Sequence, residues 1–157
     1  MYKVKKFFQK IKRVFQFIPI AWNDEDWDYD YLLELIKFKC EKMRSYFRKS
    51  NILCEKDSKE IIVGLNRTLF YIECYRNPEI LYKNRYGEFK LNVGYRSEPC
   101  ENGCYRMISI NKDTKEDLTP EEDEKYSEYL KKRMDLEQES WNTIFKTISE
   151  EGQKWWD

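Results

Sequence analysis

Histidine is absent from the 157 residues. Its absence removes Ser-His-Asp and Cys-His catalysis and every His-ligated zinc or haem site. Glycine is scarce, at five, and none sits in a phosphate-cradling loop. No apolar run approaches the roughly 20 residues of a membrane span. Five scattered cysteines, an odd number, do not make a disulfide framework and point to a reducing compartment. The net charge is zero, so the basic excess of a dedicated nucleic-acid binder is missing.

What is present suits a folded chain. Apolar residues make up 41% and aromatics 17%, too rich for disorder. The expected fold is mainly α: a single helical domain over 1–157, a bundle of about four helices with a β-hairpin inserted at 86–111. An α+β domain with a larger sheet is the alternative. The zero net charge hides segregated blocks. Residues 1–22 carry six bases and no acid, and residues 23–36 carry six acids and no base. Residues 37–110 are net basic and 111–157 net acidic. Such alternation is satisfied within a fold or between two copies.

Residues 3–17 repeat apolar side chains at a 3.6-residue period: Val4, Phe7, Phe8, Ile11, Val14, Phe15 and Ile18, with lysines opposite. The plain expectation is a core-packing helix with a solvated basic face, ended by Pro19. A helix on a membrane surface or on RNA phosphates is the functional alternative. The lysines that interrupt this stretch argue against a secretory signal.

Residues 20–31 alternate acids with aromatics. Asp24, Glu25, Asp26, Asp28 and Asp30 invite a calcium-loop reading, but no glycine follows the third acid and the twelfth position from Asp24 is Leu35. Helix initiation is the expected role, with Asp26 or Asp28 as N-cap of a helix over 29–49. Its expected buried stripe is Leu32, Leu35, Ile36, Lys39, Met43, Tyr46 and Phe47. The next helix spans 58–76, capped by Ser58 and lined by Ile61, Leu65, Leu69, Ile72 and Cys74 or Tyr75, with Gly64 inside. Gly64 weakens it or admits a close neighbour. Asn77-Pro78 ends it.

From Phe89 the period changes to two, through Leu91, Val93 and Tyr95. Asn102-Gly103 marks a hairpin turn, and Tyr105 to Ile110 is the return strand. Cys100 and Cys104 sit at its tip as CENGC, read as two surface thiols, since nothing completes a four-ligand metal site. An unpaired hairpin edge is a docking surface. Thr119-Pro120-Glu121-Glu122 is a capping box opening a helix over about 120–151. Tyr126, Leu130, Met134, Trp141, Ile144, Phe145 and Ile148 are its expected stripe, and Gly152 closes it. Trp155 and Trp156 must be tucked against the fold or used by a partner.

The strings FIPIAWNDEDWDYDYLLELIKFKCEKM and WNTIFKTISEEGQKWWD together resemble a group of small tailed-phage accessory proteins. That group carries a Pro-Ile-x-Trp-x-Asp-x-Asp-Trp-Asp segment before a helix and a Trp-Trp-Asp tail. The resemblance covers about a third of the chain, residues 17–47 and 141–157. It implies a phage origin and a role in the cytoplasm of the infected host cell, with no catalytic residue to carry over.

Three functions compete. The first is a non-enzymatic interaction protein, an inhibitor of a host defence or metabolic protein. Its candidate partner-binding residues are Asp24, Glu25, Asp26, Asp28, Asp30, Trp155 and Trp156, with the acidic 116–124 stretch as a second surface. The second is a binder of a signalling nucleotide or other small phosphate ligand, using Arg44, Arg48, Arg67, Arg76, Tyr71 and Tyr75. The third is a metal-dependent enzyme built on Asp24, Asp26, Asp28 and Asp30. It is disfavoured because neighbouring acids on an extended segment point in alternate directions. The expectation is therefore no catalytic residue, no metal, no cofactor and no membrane partner, with a host protein as partner. A homodimer through the long last helix is the assembly considered.

Overall fold

The computed structural model describes residues 2–22, 29–49, 55–100 and 103–155. Among these the chain is mainly α, with five α-helices and one two-stranded antiparallel sheet. The helices are α1 (Tyr2–Trp22), α2 (Tyr29–Lys49), α3 (Glu55–Arg76), α4 (Glu79–Tyr86) and α5 (Pro120–Glu151). The strands are β1 (Val93–Pro99) and β2 (Tyr105–Asn111). The chain falls into two compact units. One comprises Met1–Glu73 with Thr143–Asp157, the other Cys74–Asn142.

In the first unit α2 and α3 run antiparallel. Lys37 pairs with Glu73 at 3.5 Å and Arg44 donates to Asn66 at 3.1 Å, so contacts descend one helix as they climb the other. Between them lies the core of Cys40, Ile61, Leu65 and Trp155, flanked by Ile36, Met43, Phe47, Leu69 and Ile148. Each fully buried aliphatic side chain there contributes about 2 kcal/mol. Burial pushes the Cys40 thiol up to about 11.

The α2 stripe differs from the sequence expectation by one position. Leu33 and Cys40 are buried, whereas Leu32 and Tyr46 are exposed. Leu33, Ile36, Cys40, Met43 and Phe47 repeat at three and four, and cysteine counts as a small apolar side chain in that pattern. The acid in the first turn of α2 is Asp30 and the bases in its last are Arg48 and Lys49, matching the helix dipole. The expected N-cap acids lie outside the described residues.

Gly64 serves close approach. A Cβ there would run into the Glu151 carboxylate and stand 3.3 Å from Trp155 Cζ2. Glu151 is held by Arg67, whose Nη1 donates to Oε1 at 2.7 Å. Thr68, fully buried, donates its hydroxyl to the Gly64 carbonyl at 3.1 Å, so its burial leaves no polar atom unsatisfied. α3 begins at Glu55, and Ser58 is inside it rather than its cap.

α1 departs most from expectation. Its apolar side chains Phe7, Phe8, Val14, Phe15 and Ile18 are exposed. Among the described residues this core is filled from α2, α3, the end of α5 and Trp155. Pro19 does not end the helix, which continues to Trp22.

In the second unit, Asn77-Pro78 ends α3 and a helix absent from the sequence reading follows at once. α4 buries Leu81 and Tyr82 and closes on Gly87, whose φ of 84° suits glycine and whose N–H reaches the Lys83 carbonyl at 3.1 Å. The α5 start is the expected capping box. Thr119 Oγ1 accepts from the Glu122 N–H at 3.3 Å, and Glu122 Oε2 accepts from the Thr119 N–H at 2.9 Å. That bond to the Thr119 backbone holds the Glu122 carboxyl below its usual range. Leu136 and Ser140 are buried in this unit, Ser140 donating to the Leu136 carbonyl at 2.8 Å, while Met134 is exposed.

Candidate functional site

The sheet is a hairpin with a two-sided character set by its register. Tyr95 lies opposite Ser109, Ser97 opposite Met107 and Pro99 opposite Tyr105. Alternation therefore places Tyr95, Met107 and Tyr105 on one face. All three are exposed, at 55, 61 and 72%. The other face pairs Gly94 with Ile110, Arg96 with Ile108 and Glu98 with Arg106. There Arg96 bonds Glu98 at 2.8 Å and Asp117 at 2.9 Å. One face thus joins the Arg96 ion pairs to half-buried Ile108 and Ile110, and the other carries the exposed Tyr95, Met107 and Tyr105.

The two edges also differ. Beside β2, the Leu118 N–H donates to the Ser109 carbonyl at 3.2 Å, and the Asn111 N–H to the Glu116 carbonyl at 2.9 Å. The edge of β1 pairs with no strand among the described residues beyond β2. At the tip the Cys100 N–H donates to the Cys104 carbonyl at 2.8 Å, and Gly103 turns the chain at φ 80°. Cys100 and Cys104 form no disulfide.

An aromatic cluster anchors the hairpin base. The hydroxyls of Tyr95 and Tyr126 meet at 2.7 Å. Phe89 stacks on Tyr129 with ring centroids 4.1 Å apart, and Tyr129 lies edge-on to Tyr82 at 4.9 Å. The Tyr129 hydroxyl donates to Glu79, whose Oε1 is also 3.8 Å from Arg133 Nε. Desolvation, then the bond to Tyr95, pushes Tyr126 up to about 12. Desolvation, then Glu79, does the same to Tyr129. Phe89 therefore serves packing, and β1 starts at Val93 rather than at Phe89.

The sequence-derived candidates scatter. Asp24, Glu25, Asp26, Asp28 and Trp156 lie outside the described residues. Asp30 is in the first turn of α2. Trp155 is only 6% exposed and belongs to the core, which corrects its reading as a partner contact: the 3-10 turn Gly152–Trp155 folds it inward. Arg44 is bonded to Asn66, and Arg67 to Glu151. Arg48 is in the last turn of α2. Tyr71 lies edge-on to Phe70 at 5.4 Å. Tyr75 and Arg76 belong to the second unit, where the Tyr75 ring packs against Trp141 at 5.3 Å.

The candidate phosphate ligands thus divide between two units, and Arg44 and Arg67 already answer groups of their own chain. Among the described residues no three His, Cys, Asp or Glu side chains converge as a metal site. The hairpin face went unnamed in the sequence reading, although its signal, period two with Tyr and Met at alternate positions, is present. No protein-family model, curated protein or solved structure matches the chain.

Proposed function

We propose that the chain is a non-enzymatic interaction protein that acts by docking the Tyr95, Met107 and Tyr105 face of its β-hairpin on another protein. The carrying observation is the joint exposure of Tyr95, Met107 and Tyr105 on one face, beside a β1 edge that pairs with no further strand among the described residues. Tyrosine and methionine supply large contact area, and an open edge adds a main-chain ladder to an incoming strand. The ion-paired opposite face and the Tyr95–Tyr126 contact hold the platform in place, so little ordering cost falls on binding. With the resemblance to tailed-phage accessory proteins, the partner is a bacterial host protein and the outcome its inhibition in the cytoplasm of the infected cell.

The test is capture from host lysate with the intact chain and with a Tyr105→Asp, Met107→Asp variant. Both side chains are exposed, so the variant keeps its circular dichroism. The expected result is one specific protein retained by the parent and lost, about tenfold or more, by the variant. Equal capture by both, or no specific protein, overturns the reading. Stabilisation by cyclic dinucleotides in a thermal-shift assay returns the function to the Arg44, Arg48 and Arg67 set.

A further inference from the structure

α1 carries a run of exposed apolar side chains. Phe7, Phe8, Val14 and Phe15 are 60, 64, 61 and 67% exposed, Ile18 is 43% exposed, and Ile11 is half-buried. At about 100° per residue, Phe7, Phe8, Ile11, Val14, Phe15 and Ile18 fall within an arc of about 120°. Lys10 and Lys12, both exposed, fall about 100° to either side of its centre. Over residues 1–22 the sequence adds Lys3, Lys5, Lys6 and Arg13 and no acid. No helix among the described residues is long and apolar enough to cross a membrane. Lying on one needs only an arc with basic borders, whose lysines can extend toward headgroups while their stems stay on the apolar side.

We propose that α1 is a membrane-surface helix, seating its phenylalanine-rich arc in the acyl boundary of an anionic bilayer. This revises the expectation of no membrane partner, which rested on the missing span. Charge selects the occupant. A second copy of α1 would bring two acid-free basic helices together. An acidic protein groove meets mainly the borders of the arc. A planar anionic surface attracts the whole helix, because a helix about 10 Å across lies largely within one Debye length of it.

Vesicle co-sedimentation of the intact chain tests this, using phosphatidylcholine alone or with about one-third phosphatidylserine. Two variants accompany it, Phe8→Ser with Phe15→Ser, and Lys10→Glu with Lys12→Glu. Both change exposed positions outside the core, and far-ultraviolet circular dichroism checks their folding. The parent is expected to bind anionic vesicles about tenfold more tightly than neutral ones, less so as salt rises, and each variant to lose about tenfold. Absence of vesicle binding overturns the proposal, as does binding that neither variant weakens. Two results would instead identify another occupant and equally overturn it: self-association abolished by the phenylalanine variant, or binding to polyglutamate in place of vesicles.

Discussion

At Gly64 two small effects oppose each other, and their sizes decide the outcome. Alanine gains about 1 kcal/mol of helix propensity over glycine. It also displaces Glu151 from Arg67, a partly exposed pair worth about 0–1 kcal/mol. Gly64→Ala is therefore expected to change stability by less than about 1 kcal/mol. Gly64→Val forces branched bulk toward Trp155 and is expected to destabilise by about 2–3 kcal/mol. Urea unfolding of the two variants checks the pair, and equal midpoints would remove the close-approach role. Trp155 shows the same limit of single-residue reading. Its need for cover follows from its chemistry, but only the 3-10 turn and the space above Gly64 decide that the cover is its own core.

At the scale of elements, local chemistry foretells much. The α5 start is written in four consecutive residues, and all its partners lie within one turn. Thr119→Ala removes the hydroxyl that accepts from the Glu122 N–H, and is expected to cost about 1 kcal/mol. Thermal unfolding checks it, and Thr119→Ser should recover most of the loss. The ends of α2 and the turn at Asn77-Pro78 are equally local. The stripes are less so. Ser140 and Thr68 are buried because each hydroxyl bonds a carbonyl four residues back, which hides them from a search for apolar letters. Met134 carries an apolar letter yet is exposed, since its position turns away from Leu136 and Ser140. α4 escaped because eight residues with two buried side chains give too short a period to read.

For the whole molecule, pH reports on the aromatic cluster. Tyr126 and Tyr129 ionise at about 12, against 10 for the free side chain, so the folded chain binds their protons more tightly than the unfolded one. Their contribution is complete below about pH 10 and is lost as pH rises toward 12. The urea midpoint of the parent is expected to fall over that window more than that of a Tyr126→Phe, Tyr129→Phe variant. Equal falls would separate the cluster from stability. The sequence by itself determined the mainly α class, the hairpin, the ends of α2 and α5, the end of α3 and the absence of histidine chemistry, because propensity, caps and periodicity act within a few residues. Only the tertiary structure decided which apolar faces are covered. Burial depends on what else fills the space, so the stripe of α2 joined a core while Phe7, Phe8, Val14, Phe15 and Ile18 of α1 and Tyr95, Met107 and Tyr105 of the hairpin stayed exposed.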